Sequence, residues 1–176
     1  MRKAGREDNS ELEISLAVAE GLVENSTLET LYLPYNSTVL YGPVWQEALE
    51  SNNSLQKLCL SNCTVSLEAF QCLARGLYRN MSLESIDLSE TNMTEDCVIA
   101  LVDGLRTNKT LKCLNLADNG DLSQSGRAAI ERLMGYNVLR ELLLANTSSS
   151  VGASILTSGL SDNHSLEKLD LQSAFV

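Results

Sequence analysis

Leu28-Glu-Thr-Leu31-Tyr-Leu33 is a phrase that returns five more times along the chain. The later copies are Leu55-Gln-Lys-Leu58-Cys-Leu60, Leu83-Glu-Ser-Ile86-Asp-Leu88, Leu111-Lys-Cys-Leu114-Asn-Leu116, Leu139-Arg-Glu-Leu142-Leu-Leu144 and Leu166-Glu-Lys-Leu169-Asp-Leu171. Their first leucines stand 27, 28, 28, 28 and 27 residues apart. A period this regular means one structural unit used six times. Alternation of the fourth and sixth positions in each phrase predicts a short strand with both of those side chains on one face.

Working outward, the stretch before each phrase repeats as well. Six residues ahead stand Leu22, Leu49, Leu77, Leu105, Leu133 and Leu160. Ten ahead stand Val18, Trp45, Leu73, Leu101, Ala129 and Leu156, and eleven ahead Ala17, Val44, Cys72, Ala100, Ala128 and Ile155. These three positions are expected to share the inward face of a helix. Eight ahead, Glu20, Glu47, Arg75, Asp103, Glu131 and Ser158 are expected in solvent. Ser10 with Glu13 reads as a capping box opening the first helix. Eight residues after each first leucine come Asn36, Cys63, Thr91, Asn119, Thr147 and Ala174, placed to satisfy backbone groups where a strand turns inward.

One strand and one helix cannot bury their apolar faces alone, whereas stacked units share a continuous core. The expected fold is therefore an α/β solenoid. It is a right-handed βα superhelix bent into a horseshoe arc, with about six parallel strands on the concave face and helices on the convex one. Residues 1–9 read as a polar tail and 10–176 as a single domain. That domain comprises a half repeat (10–27), five repeats (28–54, 55–82, 83–110, 111–138, 139–165) and a partial one (166–176). Phe175 and Val176 leave an apolar edge. Either the chain is a segment of a longer protein, or its ends meet a partner or a second copy.

The phrase Leu-x-x-Leu-x-Leu-x-x-(Asn/Cys/Thr) resembles leucine-rich repeat proteins. The 27–28-residue period with a full helix is similar to the ribonuclease-inhibitor-like subclass, found also in NLR immune receptors, Ran GTPase-activating proteins and tropomodulins. The resemblance spans about residues 11–173 and implies the solenoid fold. It does not imply one role, because the subclass hosts many.

Composition narrows the function classes. The 176 residues include 32 leucines, with 44% hydrophobic and 20% charged residues overall. Thirteen basic against 23 acidic residues give a net charge of −10, which argues against nucleic acid or an anionic membrane as partner. The first stretch is too broken by Glu11, Glu13 and Glu20 to be a signal peptide or membrane span. Five cysteines without paired spacing suggest reduced thiols and a cytoplasmic setting. No metal site is expected, since no Cys-x-x-Cys or histidine partner is present, and no cofactor is implied.

The candidate functional surface is the outward side of the sheet. Tyr32, Cys59, Asp87, Asn115, Leu143 and Asp170 alternate with the buried leucines, as do Thr30, Lys57, Ser85, Cys113, Glu141 and Lys168. At the strand exits lie Tyr35, Asn62, Glu90, Asp118, Asn146 and Ser173. The expected partner-binding set is Tyr32, Tyr35, Cys59, Asp87, Glu90, Asn115, Asp118, Leu143, Asn146 and Asp170. Tyr32, Tyr35 and Leu143 would be anchors. Asp87, Glu90, Asp118 and Asp170 form an acidic stripe suited to a basic surface on another protein.

Other motifs receive architectural readings. Nine Asn-x-Ser/Thr sequons occur, and Asn25, Asn52, Asn80, Asn108 and Asn163 hold one fixed repeat position. That recurrence points to helix termination rather than glycosylation. His164 reads as a solvated turn residue rather than a catalytic base, Trp45 as core, and Gly120–Gly126 as a lengthened connection without the lysine of a phosphate loop. Cys63 and Cys72 read as core thiols, and Cys97 lies near a helix start. The strand-to-helix connections carry no Arg or Lys, which weakens a GTPase-activating fragment. That reading and self-assembly through uncapped ends are the alternatives to a non-enzymatic scaffold.

Overall fold

The computed structural model describes residues 9–35, 42–147 and 159–172. Helices α1 (Asn9–Glu24), α2 (Gly42–Ser51), α3 (Leu67–Arg79), α4 (Glu95–Leu105) and α5 (Gln124–Gly135) alternate with strands β1 (Thr30–Tyr32), β2 (Lys57–Cys59), β3 (Ser85–Asp87), β4 (Cys113–Asn115) and β5 (Glu141–Leu143). Strand β6 (Lys168–Asp170) follows. All six strands form one parallel sheet in the order β1-β2-β3-β4-β5-β6, each repeat beside the next. The register matches the repeat: Leu31, Leu58, Ile86, Leu114, Leu142 and Leu169 lie side by side.

The six-before and ten-before helical positions fill the core in α2–α5. Leu49, Leu77, Leu105 and Leu133 are buried, as are Trp45, Leu73, Leu101 and Ala129. The eleven-before position is a correction. Ala17 and Ala128 are exposed and Val44 and Ala100 half-buried; Cys72 alone of the described five is buried. At about 100° per residue, that position lies about 140° around the helix from the six-before leucine. The true inward face adds positions nine and thirteen before the phrase, which bury Ala74, Val102 and Ile130, and Phe70 and Val98. The Trp45 Nε1–H donates to the buried Ser15 hydroxyl at 3.1 Å, so the indole is satisfied inside. Of the eight-before residues, Glu20, Glu47, Arg75 and Asp103 are exposed and Glu131 is half-buried.

Polar staples join the repeats. Asn52, Asn80 and Asn108 are each about 4% exposed. Each accepts two backbone N–H groups at its own helix-to-strand corner and donates back to the preceding repeat. For Asn80 the bonds come from Ser82 and Leu83 and run to the Leu49 and Asn52 carbonyls. Their side-chain amides are thus committed to the fold. At the strand-to-helix turns, Cys63, Thr91, Asn119 and Thr147 are buried. They bond to the Leu33, Leu88, Leu116 and Leu144 carbonyls. Helices α3, α4 and α5 open on side-chain caps from Ser66, Thr94 and Ser123.

Ser123 also corrects the Gly120–Gly126 reading. The connection ends there, and Gln124, Ser125 and Gly126 already form the first turn of α5. Asn36, Ala174, Ser173, Leu156, Ile155, Ser158, Phe175, Val176 and the Ser10 side chain lie outside the described residues, as does the tail before residue 9.

Candidate functional site

The outward strand residues fall into two rows. Tyr32, Cys59, Asp87, Asn115, Leu143 and Asp170 pair in register, as do Thr30, Lys57, Ser85, Cys113, Glu141 and Lys168. The residues between them turn to the core, where Leu58, Ile86, Leu114 and Leu142 are at most 2% exposed. A third row closes the face. Tyr35, Asn62, Glu90, Asp118 and Asn146 all have a positive φ, from 54° to 60°. Their N–H groups donate to the carbonyls of Ser61, Ser89, Ala117, Ala145 and Gln172 at 2.8–3.1 Å, so each left-handed turn continues the ladder past the strand end.

Most polar groups on this face are already engaged. Asp87 accepts from the Ser89 N–H and hydroxyl, Asn115 from the Ala117 N–H and Asp170 from the Gln172 N–H, each tightening its own strand exit. The Asn62 amide donates to Glu90 at 2.8 Å, and the Asn146 amide to Asp118 at 2.7 Å. These bonds fix the geometry of the carboxylates. Leu143 is half-buried between Asn115 and Asp170.

Tyr32 and Tyr35 differ from the rest. They are 69% and 78% exposed, and both lie at the β1 end of the face. Tyr35 holds a φ of 60°. Asparagine and aspartate fill that conformation comfortably, whereas a tyrosine there is strained by about 1–2 kcal/mol. The core does not need either ring.

The thiols are placed as packing groups. Cys63, Cys72 and Cys97 are buried; Cys59 and Cys113 are half-exposed on the sheet face, and all five are free. Burial pushes the Cys113 thiol pKa up against the opposing Ser85 hydrogen bond, with the Glu141 carboxylate adding to the rise. A thiol so held is a poor nucleophile. Among the described residues no group of three or more His, Cys, Asp or Glu is placed to hold a metal ion. Exposed His164 uses its backbone N–H on the Asn137 side chain at 2.7 Å, in a turn away from the sheet face. No described helix is long and apolar enough to cross a membrane.

Sequence reasoning missed a groove of about 510 Å³ on the helical side, lined by residues including Gln46, Glu50, Arg75, Tyr78 and Arg79. Gly104 lies on its lining, where α3 and α4 approach so closely that a Cβ would stand 2.4 Å from the Ala74 carbonyl oxygen. The glycine inside an otherwise apolar helical pattern is its only sequence signal.

Comparison with known proteins agrees with this architecture. A family model described as "Leucine Rich repeat" matches residues 107–130, which span β4 and the first half of α5. The actin-binding site 2 domain of leiomodin-1 superposes with a TM-score of 0.66 at 18% identity, covering 90% of each chain. The tropomodulin C-terminal domain of Caenorhabditis elegans gives 0.61 at 19% identity, covering 73% of this chain and 81% of that one. No curated protein sequence matches. The chain has the fold of a leucine-rich repeat solenoid, its six strands stacked into one parallel sheet, and the family model matches it over residues 107–130.

Proposed function

We propose that this chain is a non-enzymatic scaffold, one domain from residue 10 to 176, that captures a partner protein on its sheet face. Tyr32 and Tyr35 are the anchors. Cys59, Asp87, Glu90, Asn115, Asp118, Leu143, Asn146 and Asp170 supply the surrounding polar and apolar complementarity, and the acidic members favour a basic partner surface. The observation that carries this reading is the pair of exposed rings, one of them a tyrosine at the left-handed turn that asparagine or aspartate fills in three of the other repeats. Five free cysteines and a net charge of −10 support a cytoplasmic setting and a protein partner rather than nucleic acid or membrane.

Actin is a second, narrower reading of the partner. It is favoured by the likeness to actin-binding site 2 of leiomodin-1, 90% of which is covered. Capture from lysate and titration with purified actin, each run with wild type and with Tyr32→Ala/Tyr35→Asn, test both readings. Proteins held by wild type and lost by a variant with an unchanged circular dichroism spectrum are expected. Equal capture by the folded variant overturns the anchors, and no actin titration by wild type removes the narrower reading.

A further inference from the structure

The asparagine staple is missing at one corner. Where α5 meets β5, the position filled by Asn52, Asn80 and Asn108 in the preceding repeats holds Tyr136. The hydroxyl two residues on, supplied elsewhere by Ser54, Ser82, Thr110 and Ser165, is replaced by Val138. The nearest asparagine, Asn137, has a φ of 54° and turns to the next repeat. It accepts from the His164 N–H and donates to the Asp162 carbonyl.

The hydrogen bonds record the loss. Thr110 and Leu111 donate their N–H groups to Asn108, and Ser165 and Leu166 donate theirs to Asn163. Among the described residues, the N–H groups of Val138 and Leu139 find no such acceptor, although Leu139 is only 5% exposed. No side-chain amide reaches back from this corner to α4, whereas Asn108 reaches the Leu77 and Asn80 carbonyls and Asn163 the Met134 carbonyl. A small gap of about 10 Å³ lies here, lined by residues including Leu105, Asn108, Leu133, Tyr136 and Val138. The rest of the joint is intact. The Lys112 carbonyl still accepts from Arg140 and Glu141, Asn146 reaches Asp118, and exposed Arg132 reaches Asp103 at 3.3 Å.

We propose that the corner between α5 and β5 is a built-in joint at which the solenoid opens. The C-terminal end of α5 separates from α4 while the strand ladder stays paired. In a quasi-one-dimensional array, stability is a sum over neighbouring interfaces, so the interface without a staple opens first. Opening there re-angles the part of the sheet face carrying Leu143 and Asp170 against the part carrying Tyr32 to Asn115. The proposal stands on the corner geometry and is independent of what the face binds.

Amide hydrogen exchange on the whole chain tests it. In wild type, Val138 and Leu139 exchange faster than Thr110 and Leu111 and also faster than Ser165 and Leu166. Fraying from the chain end would reverse that second order. Ile130 and Leu133 exchange about tenfold faster than Leu101 and Leu105. Tyr136→Asn/Val138→Ser restores the staple and slows α5 by about the same factor. Protection of Val138 and Leu139 equal to that of Thr110 and Leu111 overturns the proposal, as does a folded double variant with unchanged α5 exchange. If the double variant fails to fold, the wild-type exchange of Ile130 and Leu133 against Leu101 and Leu105 decides alone, equal rates overturning the proposal.

Discussion

Each recurring asparagine is worth more than its helix-terminating habit suggests. Asn80→Ala removes two accepted bonds and the amide's donor bonds to the Leu49 and Asn52 carbonyls and the Ser82 hydroxyl, and strands the Leu49 carbonyl. The expected loss is about 2–4 kcal/mol in urea unfolding. Asn25→Ala, whose exposed side chain accepts from the Thr27 and Leu28 N–H groups, should cost about 1 kcal/mol or less. Equal losses would refute the staple. Tyr35→Asn should do the opposite and stabilise by about 1 kcal/mol, since asparagine tolerates the left-handed backbone. A loss of stability would show that the ring packs usefully in the free protein. The asparagine period was legible in the sequence, but its partners in the preceding repeat, 27 to 31 residues away, were not. The left-handed exit row was equally hidden, because Tyr, Asn, Glu and Asp share no obvious residue type.

Helices and strands were legible where a repeated leucine marked them, and less so where shape depended on a neighbour. The inward helix face was half read: leucines six residues ahead of each strand are buried, while the alanines eleven ahead lie too far round the helix. Close approach of α3 and α4 was not readable, because a lone glycine does not announce the backbone facing it. Gly104→Ala should therefore destabilise by about 1–3 kcal/mol. Gly21→Ala in α1, where a Cβ meets open space, should stabilise by about 0.5–1 kcal/mol. Matching signs in thermal unfolding would contradict the helix spacing. At the N-terminus of α5, Ser123 accepts the Ser125 N–H and helps hold the Glu95 carboxyl below its ordinary range, together with Ser125. A depressed folded value gives stability that is present above the unfolded carboxyl value and lost as pH falls through the folded one. Ser123→Ala should lower stability by about 0.5–2 kcal/mol through the lost cap and should raise the Glu95 pKa in an NMR titration. An unmoved Glu95 would exclude the bridge between α4 and α5.

At the scale of the whole molecule, six matching phrases define the solenoid, because the period alone requires stacked strand–helix units. They say much less about function, since the residues that could recognise a partner are those the repeat leaves free to vary. Strand alternation tells which side chains leave the core, but it does not show that Asp87, Asn115 and Asp170 are engaged. The structure ties them to their own turns and leaves Tyr32 and Tyr35 as the groups without an architectural task. The most direct test of recognition on the sheet face is site-specific photocrosslinking in cell extract. One protein carries the crosslinker at Tyr35; another carries it at Tyr78, which is 47% exposed on the opposite, helical side. The account predicts a discrete adduct from position 35 that excess unlabelled protein competes away, and none from position 78. An adduct from position 78 alone would contradict it and move recognition to the helical groove.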